Sequence, residues 1–181
     1  MQLSRRSLLR ALADRRGVAA VEFALLVPIL LLLYFGVVEL TQGLMTQERA
    51  AHTASTIGDL TAQSTSITQS ELGDIFNVGD TIMYPYPTTT LHMRISSLTA
   101  DASGKVTVAW SEAQGMTALV KNAPVNGLPA NVINAGESVI MAESQYTYTS
   151  VFGQIMPVPV TFNEKYYLRP RGSNSVNCTD C

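Results

Sequence analysis

The segment Val18–Val38 reads VAAVEFALLVPILLLLYFGVV, and it decides how the rest of the chain must be organised. Glu22 is its only charged residue. As a helix, this segment would rise about 32 Å, and the hydrocarbon core of a bilayer is about 30 Å thick. No second apolar segment of similar length follows in the sequence. The pattern therefore predicts one transmembrane helix at residues 18–38, with a buried core helix as the alternative.

The charges on either side of this segment are unequal. Residues 1–17 carry five arginines and one aspartate, whereas residues 18–181 carry seven basic and thirteen acidic groups, a net charge of −6. Positively charged flanks of membrane helices stay in the cytoplasm. We therefore expect residues 1–17 to form a basic cytoplasmic leader and the chain beyond the segment to lie outside the cytoplasm.

The composition excludes several classes of protein. Hydrophobic residues make up 46% of the chain and charged residues 14%, well below the usual charged share of about 25%. The net charge of −2 argues against a nucleic-acid partner. Two cysteines and two histidines are too few for a multi-cysteine zinc cluster. The sequence also contains no phosphate-binding glycine loop and no protease or hydrolase motif, so we expect no enzyme, no cofactor and no metal site.

A glycine and a glutamate stand out at the start of the apolar segment. Gly17 has no side chain, so it would offer a peptidase an open backbone and weak helix propensity. Cleavage after Gly17 would create an α-amino group on Val18. Glu22 lies about one helical turn beyond Val18, and a carboxylate in the first turn complements the helix dipole. Placing a charged carboxylate within the membrane costs free energy, so Glu22 is by default a functional candidate, with an α-ammonium as its partner. The alternative is that Glu22 lies at headgroup depth and is simply hydrated.

These residues also carry a resemblance to a known family. The stretch Asp14–Phe23, DRRGVAAVEF, resembles a type IV prepilin processing site. The continuation Glu22–Leu26, followed by Pro28, resembles the TadE-like family, the minor pilins or pseudopilins of the tight-adherence (Flp) pilus. The sequence YYLRPR at Tyr166–Arg171 and a late cysteine are similar to the C-terminal ending of that family.

The resemblance implies a function and a set of partners. It implies cleavage between Gly17 and Val18 by a prepilin peptidase, and a single-pass inner-membrane protein with a periplasmic C-terminal domain. It further implies that Glu22 and Phe23 act in assembly, where the glutamate sets subunit register, and that the protein has no catalytic role. The expected partners are the membrane, other pilin and pseudopilin subunits, and the pilus assembly platform.

Three other readings of the N-terminal half stay open. A secretory signal would need a small-residue cleavage site, and the nearest is at Ala50–Ala54, well past the apolar run. The sequence SRRSLLR at Ser4–Arg10 resembles a twin-arginine export signal. The main alternative in function is an uncleaved, membrane-anchored periplasmic domain that binds a ligand or scaffolds a secretion system.

The helix is expected to continue beyond the membrane as a stem over residues 39–70. Apolar residues recur there at steps typical of one helix face: Leu40, Leu44, Ala51, Ala54, Ile57, Leu60 and Ile67. Serines and threonines near Thr61–Ser70 weaken the pattern and mark its end. Two helices with a hinge near Gly43 are the alternative.

Residues 71–181 are expected to form an α+β head. Ser70 is a plausible N-cap for a short second helix that ends near Met83. Four runs have the alternation or β-branched content of strands: Leu91–Leu98, Lys105–Glu112, Ser138–Thr149 and Thr161–Leu168. A turn at Asp101–Gly104 predicts a hairpin, and Asn122–Gly136 and Gly153–Pro159 predict connecting loops. The predicted fold is a long membrane-spanning helix packed on a small antiparallel sheet.

The remaining candidates are cysteines and histidines. Cys178 and Cys181 close the chain, and thiols outside the cytoplasm tend to oxidise. We expect a structural disulfide, either between the two or to another partner, in preference to a redox pair. His52 lies four residues after Glu48 and is expected to pair with it on the helix surface, and His92 is expected to face solvent on a strand.

Overall fold

The computed structural model describes residues 16–150, 153 and 158–181. The chain forms helix α1 (Arg16–Gln63), strand β1 (Ser66–Ile67), helix α2 (Gln69–Met83) and strands β2 (Leu91–Ala100), β3 (Val106–Gln114), β4 (Ser138–Tyr148), β5 (Val160–Leu168) and β6 (Asn177–Cys178). The predicted α+β fold, a long N-terminal helix followed by a small antiparallel sheet, is confirmed. Residues 1–15 of the predicted leader and part of the 153–159 connector lie outside the described residues.

Helix α1 runs through Gly43 without a break, so the alternative of two hinged helices is wrong. Its 48 residues correspond to a rod about 72 Å long. The helix ends at Gln63, within the Thr61–Ser70 stretch expected to mark its end but before the stem boundary expected at residue 70. The reason lies in the C-terminal tail, which the local pattern could not show: the Arg171 backbone N–H donates to the Ala62 carbonyl at 2.8 Å, and β1 pairs in parallel with β6.

The N-cap of helix α2 lies two positions earlier than predicted. Thr68, rather than Ser70, is the N-cap, because Glu71 then occupies the third helical position and completes a capping box. The Thr68 hydroxyl accepts from the Glu71 N–H at 3.2 Å, and the Glu71 carboxylate accepts from the Thr68 N–H at 2.8 Å. The predicted end at Met83 is confirmed.

The four long strands form one antiparallel sheet in the order β3-β2-β4-β5. The predicted hairpin joins β2 to β3, where the Asp101 carboxylate accepts from the backbone N–H groups of Ser103 and Lys105 at 2.8 and 3.0 Å. Gly104 completes the turn with a φ of 83°, a conformation that glycine adopts without strain.

Each face of the sheet has its own apolar core. The core between the helices and the sheet contains Ile57 and Leu72 from the helices, and Met93, Ile95, Trp110 and Ile140 from the strands. The opposite face buries Leu98, Val108, Val139 and Met141 beneath the segment that follows β3. The Asn122–Gly136 part of that segment is a loop, as predicted.

The half of that second face that lies nearer the N-terminal part of α1 is polar. Arg94, Glu143 and Lys165 lie directly opposite one another on β2, β4 and β5. The Glu143 carboxylate forms two ion pairs. Its Oε2 lies 2.6 Å from Arg94 Nη2, and its Oε1 lies 2.8 Å from Lys165 Nζ. Opposite charges in register across strands stabilise the pairing and help to fix the register of the sheet.

Candidate membrane anchor and assembly site

The N-terminal part of α1 stands clear of the head. Its large apolar side chains are exposed on every side of the helix: Phe23 is 67% exposed, Leu25 68% and Ile29 65%. Only 6% of the most apolar 18-residue stretch of this helix is buried. A core helix of a soluble protein would bury such residues, whereas a membrane helix leaves them facing lipid. The helix is therefore long and apolar enough to cross a bilayer, which is consistent with a single-pass anchor.

The predicted site residues lie together at the start of this exposed helix. Gly17 and Val18 are both exposed, and a Cβ built on Gly17 would meet nothing within 4 Å. Packing thus does not require a glycine at position 17. The bond between Gly17 and Val18 is already helical, since α1 begins at Arg16, so a peptidase would have to unwind the helix locally. Glycine lowers the cost of that unwinding by about 1 kcal/mol relative to alanine.

Glu22 and Phe23 are adjacent and exposed on the same helix. Residue Glu22 lies four positions after Val18, which is a rise of about 6 Å or one turn of the helix. Within the described part of the chain, Glu22 forms no hydrogen bond or ion pair. A single acid without a partner, surrounded by exposed apolar side chains, is a group that another molecule can complement.

The family comparison bears on this helix alone. Residues 17–58 match the TadE-like protein family. The predicted resemblance of the N-terminal segment to this family is thus confirmed, and the resemblance at Tyr166–Arg171 lies outside the matched residues. No curated protein and no solved structure matches the chain significantly.

The TadE-like segment starts at Gly17 and covers the apolar half of α1 together with most of its stem. It includes Gly17, Val18, Glu22 and Phe23, and it ends at Gly58, where the helix backbone lies close against the sheet. A Cβ on Gly58 would lie 2.8 Å from the Cβ of Ala142 on β4. A TadE-like segment suggests a protein associated with the tight-adherence pilus.

The stem is held to the head by a few directed contacts. The Ser144 hydroxyl on β4 donates to the Ala50 carbonyl at 2.7 Å, and Arg49 donates to the Ile82 carbonyl of α2 at 2.7 Å. Ser144 can reach this carbonyl because Ala50 is small and wholly buried. The exposed anchor is therefore continuous with a stem that is firmly attached to the head.

Sequence reasoning missed a buried acid where the anchor becomes the stem. Glu39 follows the apolar segment directly, yet it is only 1% exposed. It lines a cavity of about 620 Å³ together with Tyr86, Tyr146 and Tyr148. Burial raises the pKa of Tyr148, and the neighbouring Glu39 carboxylate raises it further. The signal available in the sequence was the position of Glu39 as the first charge after the apolar run.

The C-terminal cysteines are joined by a Cys178–Cys181 disulfide. The indole N–H of Trp110 donates to the Val176 carbonyl at 2.7 Å, and the Gln69 N–H donates to the Asp180 carboxylate at 2.8 Å. The Asp180 charge therefore lies at the N-terminus of α2, where it complements the helix dipole. The two sulfur atoms and Asp180 also lie close enough together to suggest a metal site, but both sulfurs are committed to the disulfide.

The two histidines differ from what was predicted. His52 is exposed, but no ion pair joins it to Glu48 in the part of the chain that the structure describes. His92 is half-buried rather than solvent-facing, and its Nδ1 is enclosed without a hydrogen-bond partner. The cause is Gly115, which has a φ of 76° and packs its backbone so closely that a Cβ there would collide with the His92 ring.

Proposed function

We propose that this protein is a minor pilin or pseudopilin of a tight-adherence pilus, processed between Gly17 and Val18 by a prepilin peptidase. The observation that supports this most strongly is the TadE-like match, which begins at the residue after which cleavage would occur. In this role the protein is a structural subunit without catalysis of its own. Its partners are the peptidase, other pilin and pseudopilin subunits, and the assembly platform in the inner membrane.

The chemistry of assembly follows from the state of Glu22. Cleavage leaves an α-ammonium on Val18 at one end of an apolar helix. An isolated charge costs about 2.5–3.5 kcal/mol at the centre of a bilayer and less near its edge. When the ammonium of one subunit meets the Glu22 carboxylate of a neighbour, both costs fall. Subunits are therefore stabilised only in the register that pairs these two charges.

The proposed orientation places the head in the periplasm. The arginines of residues 1–17 would hold the N-terminus in the cytoplasm until processing. The head, with its disulfide, would then lie in an oxidising compartment. The uncleaved, anchored binding or scaffold domain remains the alternative function.

Mass spectrometry of the mature N-terminus tests the processing step. The full chain would be expressed in cells with an active prepilin peptidase and, as a control, with a catalytically inactive one. We expect a protein that begins at Val18 in the first case and an intact leader in the second. An intact leader in both cases would refute processing and favour the uncleaved domain.

A pair of charge-removing variants tests the assembly step. Glu22→Gln keeps the size of the side chain and removes its charge, so we expect normal membrane insertion with loss of piliation. Glu48→Gln is the matched control, because Glu48 is also an exposed acid of α1 but lies in the stem. Normal piliation in the Glu22→Gln strain would show that this charge has no role in assembly.

A further inference from the structure

One end of the head lies close to the point where the apolar segment ends. The loop at residues 84–90 is held there by Tyr86, whose hydroxyl donates to the Gln42 side-chain carbonyl at 2.7 Å. Gln42 lies four residues after Val38, the last residue of the apolar segment, which is a rise of about 6 Å. The loop is therefore fixed beside the first turn of the stem.

A second segment reaches the same level from the sheet. Val160 at the start of β5 pairs with Tyr148 at the end of β4, and Tyr148 lines one cavity together with Val38. Residues 158–161 therefore lie beside the end of the apolar segment, as residues 84–90 do. We call these two segments the base of the head.

The base is exposed and carries no charge. Its exposed residues are prolines, threonines, two valines and one tyrosine. Tyr84 is 77% exposed and Val158 is 68% exposed. In the sequence, the two segments belong to stretches without a charged residue, 81–93 and 144–163, and the second is the longest such stretch in the chain. The acidic character of the chain is therefore absent from this surface.

The side of the stem that the head leaves uncovered continues this surface. Leu40 and Leu44 are 53% and 58% exposed, and residues 40–47 contain no charged residue. Glu39 is only 1% exposed, so its carboxylate is withdrawn from the surface. Glu48 is the first exposed acid of the stem, about 15 Å along the helix from the end of the apolar segment. An uncharged zone therefore lies on both sides of the helix just beyond the apolar segment.

We propose that the base of the head lies in the headgroup layer of the bilayer and is a second lipid-contacting surface of this protein. The proposal rests on the membrane anchor of the proposed function. The apolar segment rises about 32 Å, which fills a hydrocarbon core of about 30 Å, and the headgroup layer adds about 5–8 Å on each side. The base begins about 6 Å beyond the segment, so it lies at headgroup depth. Tyrosine, here Tyr84, is enriched at that depth because its ring is apolar and its hydroxyl is polar.

Two observations select lipid over a protein partner. Exposed uncharged residues lie both on the head and on the uncovered side of the stem. A protein partner would cover one of these sides, whereas lipid headgroups surround the helix. In addition, residues 18–181 carry a net charge of −6, and a bilayer that contains anionic lipid has a negative surface potential that repels acidic groups. An acidic head can approach such a surface only through a part without exposed acids, and the base is such a part.

Fluorescence quenching in nanodiscs that hold one protein each tests this proposal. An environment-sensitive fluorophore would be attached to a single introduced cysteine, since the two native cysteines are joined in a disulfide and leave no other free thiol. Thr88→Cys and Val158→Cys place the label on the two segments of the base, at exposed positions. With lipids that carry a nitroxide on the headgroup, we expect both labels to lose most of their fluorescence. A label at either position that stayed unquenched would overturn the proposal.

Val120→Cys is the matched control. Val120 is 75% exposed, similar to the labelled valine of the base. It lies in the far half of the sheet, because the neighbouring Asn122 N–H donates to the Val108 carbonyl at 2.8 Å and Val108 pairs with Leu98. Leu98 is seven residues beyond the start of β2, a distance of about 23 Å. The label at residue 120 should therefore keep its fluorescence, and equal quenching there would show that the headgroup lipid does not distinguish the base.

Two further measurements separate this proposal from the proposed function and from a protein partner. Leu30→Cys places a label in the middle of the apolar segment, where a nitroxide deep in the acyl chains should quench it. Quenching at residue 30 without quenching at the base would overturn the second lipid contact and leave the anchor standing. No quenching at residue 30 would refute the anchor, and with it both the base contact and the pilin role. If the labels at the base became shielded from water only in discs that hold several copies, a second copy would cover the base and the lipid proposal would be wrong.

Discussion

Replacement of Gly58 by alanine should destabilise the protein, although alanine is the better helix former. A Cβ at this position would lie 2.5 Å from Leu168 Cδ1 and 2.8 Å from Ala142 Cβ. The Leu168 side chain can rotate away, but the Ala142 Cβ is attached to the backbone of a central strand. The helix and the sheet would therefore have to move apart.

The two opposing effects can be compared in size. Overpacking a core costs about 1–3 kcal/mol, and glycine-to-alanine replacement within a helix contributes about 1 kcal/mol. The net expectation for Gly58→Ala is a loss of about 1 kcal/mol in the free energy of unfolding, which lowers Tm by about 2–4 °C. The matched control is Gly73→Ala in α2, where a Cβ would meet nothing within 4 Å. There only the helix propensity acts, so Tm should rise by a similar amount.

Thermal unfolding of the full chain in detergent micelles measures both variants. Trp110 is the single tryptophan, is 4% exposed, and reports loss of the core by its fluorescence. Opposite shifts of Tm in the two variants would support the close packing of α1 against the sheet. If Gly58→Ala melted at or above the wild-type temperature, the contact between α1 and β4 would be looser than described.

Three further predictions concern the head and its tail. Trp110→Phe removes the hydrogen bond to the buried Val176 carbonyl and should lower the free energy of unfolding by about 1–3 kcal/mol in urea titrations followed by circular dichroism; an unchanged midpoint would contradict this. Reduction of the C-terminal disulfide opens a very short loop and should cost about 2 kcal/mol at most, so a larger loss in reductant would point to a wider role. The pKa of Glu137 is lowered, chiefly because the Asn134 backbone N–H donates to its carboxylate, so the stability it contributes is present above its usual pKa of 4.5 and is lost as pH falls through the lower folded value. Glu137→Gln should therefore flatten the fall of Tm with acid below pH 4.5, and an identical slope would refute the assignment.

The secondary structure was predictable wherever the signal was local. The strands β2 and β4 begin at the predicted residues Leu91 and Ser138, because the apolar and β-branched content that favours a strand is a property of consecutive residues. The end of α1 at Gln63 lies within the predicted Thr61–Ser70 stretch, but its exact position was not predictable. It depends on the Arg171 N–H, which reaches the Ala62 carbonyl from more than a hundred positions away.

The candidate assembly site was accessible from sequence because its residues are neighbours on one helix. Gly17, Glu22 and the apolar run that follows them form a continuous pattern, and the TadE-like match begins with that pattern. The cavity was not accessible in this way. Glu39 and Tyr148 are far apart in the chain, and only the packing of β4 along the stem brings them to one wall.

The amino-acid sequence alone determined that this chain carries one long apolar helix with a glutamate near its start. Length, hydropathy and charge along a single helix are properties of adjacent residues, so they need no knowledge of the fold. The tertiary structure alone decided that Glu39, the acid after the apolar segment, is buried among tyrosines, and that the C-terminal tail contacts the end of α1. Burial depends on which distant segments come together, and this is set by the packing of the whole head.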